Sequence, residues 1–134
     1  MESERVEKSV LSPAVKVLAE REAARLLEEV SGLTAVVVAT VDGFDIASAM
    51  REGDASRVAA MASSISAISG VVSQEAHLGR GKSVTIDTEA GFAIVHAVYR
   101  PDIDLVINLI ADGNAILGQV AYQATQFAKT LADA

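Results

Sequence analysis

Gly81-Lys82-Ser83 is the first place in the chain where residue types and spacing suggest chemistry. A glycine followed by lysine and a hydroxyl residue is how a phosphate-binding loop ends. The full pattern needs another glycine five residues earlier, and that position is Ala76. It also needs the order strand, loop, helix, so that helix amides meet the phosphate. The surrounding periodicity instead runs helix, loop, strand. The expectation is a helix-to-strand connection whose glycines supply backbone freedom, with no nucleotide cofactor.

Serine, histidine and aspartate all occur, so a hydrolytic triad has to be weighed. The two histidines are His77 and His96. His96 lies in an apolar alternating stretch between Ile94 and Val98, the setting of a packed, hydrogen-bonded core residue. His77 falls at a helix end, where a cation suits the dipole. No Gly-x-Ser-x-Gly elbow puts a serine on a sharp turn. The carboxylates Asp42, Asp45, Asp87, Glu89, Asp102, Asp104 and Asp112 mostly flank turns, and turn chemistry accounts for them. None has the spacing of an EF-hand. Without cysteine there is no disulfide, thiolate metal site or thiol nucleophile. No catalytic, cofactor-binding or metal-binding residue is assigned, and the chain reads as no enzyme.

Composition narrows the partners. The length of 134 residues suits one domain. Apolar residues make up 51% but aromatics only 4%, so Val, Ile, Leu and Ala must build the core. The net charge of −7 repels phosphate backbones and anionic lipid, so nucleic acid is not an expected partner. No basic segment followed by an apolar one marks a signal peptide. The longest apolar run, around Ala35 to Val41, falls far short of the roughly 18 residues of a membrane span. A cytoplasmic setting without membrane insertion is expected.

Along the chain, residues 1–12 read as a charged tail and 13–134 as the folded domain. Ser12 and Pro13 mark a helix start, and Val15, Leu18, Ala19, Ala23, Leu26 and Val30 recur at helical spacing until Gly32. Leu33 to Val41 suits a strand buried on both faces. Asp42-Gly43 signals a hairpin into a strand with Phe44, Ile46, Ser48 and Met50 on one face. Asp54 caps a long helix reaching about His77. Three strands follow over Lys82–Thr88, Phe92–Tyr99 and a segment with Ile103, Leu105, Ile107 and Leu109. Asn114 is expected to cap the last helix, with Leu117, Val120, Ala124, Phe127 and Leu131 at helical spacing. The order α-β-β-α-β-β-β-α implies a five-stranded, mainly antiparallel sheet between helices, an α/β sandwich.

The middle helix is the most informative element. Val58, Met61, Ile65, Ile68 and Val72 form a bulky stripe, expected to face the sheet. Beside it runs a small stripe of Ala55, Ala59, Ala62, Ser66, Ser69 and Ser73, which would let another backbone approach closely. The first and last helices naturally share one face of the sheet, leaving the middle helix alone on the other. A helix about 10 Å wide cannot cover five strands spaced about 4.8 Å apart. The uncovered remainder calls for a second copy. The strand over Lys82–Thr88 carries one Lys and no Pro, so its edge is open to pairing. The expected dimer interface comprises Ala55, Ala59, Ala62, Ser66, Ser69, Ser83, Val84, Thr85 and Ile86. On this reading Ala62→Trp separates the protomers without unfolding them.

Several pieces in this order resemble the roadblock/dynein-light-chain family, including its bacterial MglB-like members. They are the helix end and apolar strand Val30-Ser31-Gly32-Leu33 to Thr40, the hairpin Val41-Asp42-Gly43-Phe44-Asp45-Ile46-Ala47-Ser48, and the Ala/Ser-rich helix with Val58-Ala59-Ala60-Met61-Ala62-Ser63-Ser64. The closing strand and the helix after Asn114 complete the likeness, which spans about Ala14 to Leu131. Phe44 and Asp45 depart from the family's usual Leu and non-acidic residue. The resemblance implies a roadblock/longin-like fold in which two protomers pair their third strands and middle helices. It also implies binding to a small Ras-like GTPase, sometimes with faster GTP hydrolysis and without a donated arginine finger. Arg57, Arg80 and Arg100 therefore receive no catalytic role, although Arg80 between two glycines has the most finger-like setting. Two other readings stay open: a dimerisation scaffold that touches no GTPase, and a small-molecule sensor. The scarcity of aromatics for lining a pocket weighs against the sensor.

Overall fold

Ser12 and Pro13 begin the first helix as their chemistry requires. The Ser12 side chain accepts from the Val15 N–H at 3.3 Å, and Pro13 has no N–H to leave unpaired. The computed structural model describes residues 11–134. The tail expected for residues 1–12 lies, through residue 10, outside the described residues. The elements are α1 (Pro13–Glu29), β1 (Leu33–Thr40), β2 (Asp45–Met50), α2 (Ala55–Glu75), β3 (Ser83–Asp87), β4 (Gly91–Val98), β5 (Leu105–Asp112) and α3 (Leu117–Asp133). Their order is the expected α-β-β-α-β-β-β-α.

The five strands form one antiparallel sheet in the order β2-β1-β5-β4-β3. β1 is buried on both faces along nearly its whole length, in keeping with its unbroken apolar sequence. Its hairpin to β2 turns at Gly43, whose φ of +98° favours glycine. Thr40 closes this turn, its hydroxyl accepting from the Phe44 N–H at 3.2 Å. Phe44 stands outside β2 and is 69% exposed, so it is no core residue. β2 then carries a bulge: Val38 faces Ala47 while Ala39 faces Asp45, which leaves Ile46 unopposed.

α1 and α3 share one face. Val15, Ala19, Ala23 and Leu26 of α1 join Val120, Ala124, Phe127 and Leu131 of α3 over Val36, Val38, Ile107 and Leu109. This is the larger core, and it follows the helical spacing read from the sequence. The start of α3 differs from expectation. Ile116 occupies the cap position with no side-chain hydrogen bond, and Asn114 instead sits in the preceding turn. There Asp112 is the organiser, its carboxylate accepting from the Asn114 N–H at 2.9 Å. Gly32, at φ +84°, lets this turn close in: a Cβ there would lie 2.4 Å from the Ala115 nitrogen. Ile103 likewise falls before β5 rather than in it.

The other end of α3 is clamped from the loop before β5. The Arg100 side chain, only 5% exposed, reaches the Leu131 and Ala134 carbonyls at the helix C-terminus, where a cation suits the dipole. Its Nε donates to Asp102 Oδ1 at 2.8 Å and a terminal nitrogen donates to Oδ2 at 3.0 Å. Hydrogen bonding from Arg100 holds the Asp102 carboxyl below the usual carboxylate range. Replacing Arg100 by Met should lower stability by about 1 kcal/mol in urea titrations, because the part-buried Leu131 carbonyl at the end of α3 loses its donor. Asp102 is the stronger acid in the folded state, so its contribution is present above the carboxylate range. That contribution disappears as pH falls through the lowered folded pKa. Asp102→Asn should accordingly flatten the acid limb of the stability–pH curve.

Candidate functional site

α2 lies alone on the second face of the sheet. Asp54 caps it, its carboxylate accepting from the Ser56 N–H at 3.0 Å and the Arg57 N–H at 3.4 Å. The sheet beneath is held by small side chains. Ala59 packs with Val37 and Ala39, and Ala62 with Val95 and Val106. Both alanines are 1% exposed or less. The Ser63 hydroxyl lies 2.9 Å from both the Thr40 and Ala59 carbonyls and fastens the helix to the end of β1.

This reverses the expected roles of the two stripes. Of the bulky residues only Val58 is buried and Ile65 partly so, while Met61 is 55%, Ile68 66% and Val72 60% exposed. The small stripe faces the sheet instead: Ala55, Ser66, Ser69 and Ser73 are half-buried beside the fully buried Ala59 and Ala62. The physical reason is closeness. Alanine and serine let the helix settle low on a sheet whose upward residues include Val37, Ala39, Val95 and Val106, and the larger side chains then point to solvent. Ala59 and Ala62 are thus already occupied within the protomer. The large apolar side chains that α2 leaves to solvent are Met61, Ile68, Val71 and Val72. The sequence carried this signal as a second stripe of the same period.

The uncovered apolar surface concentrates on the C-terminal half of α2, next to β3. Ile65, Ile68, Ser69, Val72, Ser73 and Val84 line an open groove of about 350 Å³ between that helix and the strand. β3 is an edge strand, hydrogen-bonded to β4 alone. Ser83, Thr85, Ile86 and Asp87 are exposed, and Val84 is half-buried. Residues Ser83 to Ile86 of the expected interface are therefore on the surface. By length and composition α2 could cross a membrane. Here Ser63, Ser66, Ser69 and Ser73 face its own sheet.

The segment from α2 to β3 does not form a phosphate loop. The Ala76 and Leu78 N–H groups donate to the Val72 and Ser73 carbonyls, closing the helix end. Arg80 stacks over the Tyr99 ring at 3.8 Å, and Tyr99 donates its hydroxyl hydrogen to the Gly81 carbonyl at 2.6 Å. Arg80 is thus a seated residue rather than a free finger. Arg57 follows the α2 cap, and Arg100 is bound up in the α3 clamp. A cavity of about 30 Å³ under α2, lined by Ser66, Ser69, Lys82 and Tyr99 among others, has room for a water or two. His96 places Nδ1 2.8 Å from the Ala97 carbonyl. Among the described residues no three His, Asp or Glu side chains come together to hold a metal ion.

A five-stranded antiparallel sheet closed on one face by two helices, with one helix and a bare strand edge on the other, is the roadblock/longin-like architecture. Residues 21–107, more than half of the chain, match the Roadblock/LC7 domain, and the chain belongs to that family. No curated protein matches it. Among solved structures it is similar to the gliding protein MglB of Thermus thermophilus, at 17% identity and a TM-score of 0.80, over 92% of both chains. It is also similar to an MglB in a tetrameric arrangement, at 19% identity and a TM-score of 0.80, over 92% of this chain and 91% of that one. A Roadblock/LC7 domain from Streptomyces avermitilis gives 17% identity and a TM-score of 0.75, over 84% of this chain and 92% of that one.

The stripe reversal changes the outcome expected for Ala62→Trp. An indole at a site 1% exposed against Val95 and Val106 has no room. It should lower protomer stability by about 1–3 kcal/mol or more in a denaturant titration, rather than simply separating two folded protomers.

Proposed function

We propose that the chain is a homodimeric, non-catalytic regulator that binds a small Ras-like GTPase in the cytoplasm and modulates its GTP hydrolysis. The observation that carries the dimer is the exposed row Met61, Ile68 and Val72 beside the open edge of β3. A row of large aliphatic side chains in water is unfavourable at about 25 cal/mol per Å², and a second copy of the same face would cover it. GTPase binding rests on membership of the roadblock family, for which the sequence resemblance implies such a partner.

A role in regulation rather than chemistry fits the groups available. Arg80 and Arg100 are both engaged within the protomer, and the Ala76, His77 and Leu78 amides serve the end of α2. The scarcity of aromatic side chains for lining a pocket weighs against a sensor of small molecules.

Ile68→Glu combined with Val72→Glu should convert the protein from dimer to monomer by light scattering, with circular dichroism unchanged. A dimer that survives both substitutions removes the α2 face from the interface. The partner is tested with candidate Ras-like GTPases loaded with GTP or GDP and passed over the immobilised dimer. Capture that depends on the nucleotide supports a regulator. Dimerisation with no capture of any of them leaves a scaffold. GTP incubated with the purified chain alone should remain intact.

A further inference from the structure

We propose that the cleft between the C-terminal part of α2 and Tyr99 docks an acidic peptide segment of a partner protein, with a carboxylate seated on Arg80. The site is separate from the α2 face proposed for the dimer. At about 100° per residue, Gly70 and Gln74 lie on the far flank of α2 from Ile65 and Val72.

The charge of this region runs against that of the molecule. The chain carries a net charge of −7, yet residues 76–86 hold His77, Arg80 and Lys82 and no Asp or Glu. Folding gathers them at one place. Gln74, His77, Arg80 and Tyr99 line an open cleft of about 550 Å³. Lys82 lines the small cavity that adjoins it, which shares Gly70, Gly81 and Tyr99 with the cleft. Glu75 lines neither.

The cations are unspent. Arg25 and Arg100 meet carboxylates of their own chain, whereas among the described residues Arg80 and Lys82 form no ion pair. The Arg80 guanidinium sits 3.8 Å from the centre of the Tyr99 ring, and the Tyr99 hydroxyl is anchored on the Gly81 carbonyl. A guanidinium resting on a ring keeps its N–H groups for a carboxylate, which it can grip with two parallel hydrogen bonds. Its order precedes any ligand, so little freedom is lost on binding. The backbone N–H groups of Gly79, Arg80 and Gly81 also find no acceptor among the described residues. They are further donors beside the same cleft.

Gly70 keeps the cleft open. Glycine inside a helix is destabilising relative to alanine. Packing within the protomer does not ask for it, because a Cβ there would meet nothing within 4 Å. The arrangement of charge indicates the ligand. Positions 77, 80 and 82 are spread over two adjoining hollows rather than gathered round one point. That suits several carboxylates along an extended chain better than a single phosphate group.

The probe is a fluorescein-labelled hexaglutamate peptide, followed by anisotropy in about 0.1 M salt. The screening length is then about 10 Å, which mutes the distant acids of this chain but not a direct contact. Saturable binding is expected, with none for a Gly-Ser peptide of equal length. Arg80→Ala should weaken it about tenfold. Gly70→Leu should weaken it as much by filling the cleft with no change of charge. Lys129→Ala removes an equal charge from the exposed surface of α3 and should leave binding unchanged. Circular dichroism checks that each variant is folded. Absence of saturable binding overturns the proposal. So does equal weakening by Lys129→Ala, which marks diffuse attraction, or displacement by inorganic phosphate at matched ionic strength, which marks a phosphate site. Light scattering of the same unlabelled protein reads the dimer separately, so either reading can fail without the other.

Discussion

A single helix has to cover five strands, and most of what is distinctive in this molecule follows from that shortage. The opposite face has two helices and a continuous core from Val15 to Leu131. On the α2 face the buried apolar residues fall into two small groups, one around Ala59 and one around Ala62. Helix width and strand spacing are fixed by backbone geometry, so no choice of side chains on α2 could close this face within one protomer. Side chains decide only how low the helix sits and what it shows to water. Alanine and serine set it low, and methionine, isoleucine and valine are what remain outside.

Features governed by neighbours in sequence were legible before the structure. Ser12-Pro13, Asp54 and the Asp42-Gly43 hairpin fall where their local chemistry puts them. Apart from Leu117, which is exposed at the start of α3, the inward residues of α1 and α3 do too, because each helix has one apolar stripe and a stripe can face only one way. α2 has two, of equal period, and periodicity cannot say which one meets the sheet. That depends on the upward residues of other strands, among them Val37, Ala39, Val95 and Val106, which are distant in sequence. The misplaced cap at Asn114 has a similar origin. Asn114 and Asp112 are both good capping types, and only the approach of Ala115 to Gly32 decides that Asp112 shapes the turn.

The candidate interaction face divides along the same line. That Ser83 to Ile86 lie on an edge strand could be read locally, from a short strand without proline. That Ala59 and Ala62 are buried against the protomer's own sheet could not. The sequence likewise could not show that Arg80 rests on Tyr99, because the two are far apart along the chain and the contact exists only once β4 returns beside β3.

The two rims of the sheet are not alike. At the β2 rim Ile46 is an extra residue with no counterpart on β1, so the spacing of outward amides is interrupted there. A third strand laid against that rim would fall out of step within a few residues. At the β3 rim the outward groups run without interruption from Ser83 to Asp87. One rim of the sheet thus carries a regular row of outward backbone groups and the other an interrupted one.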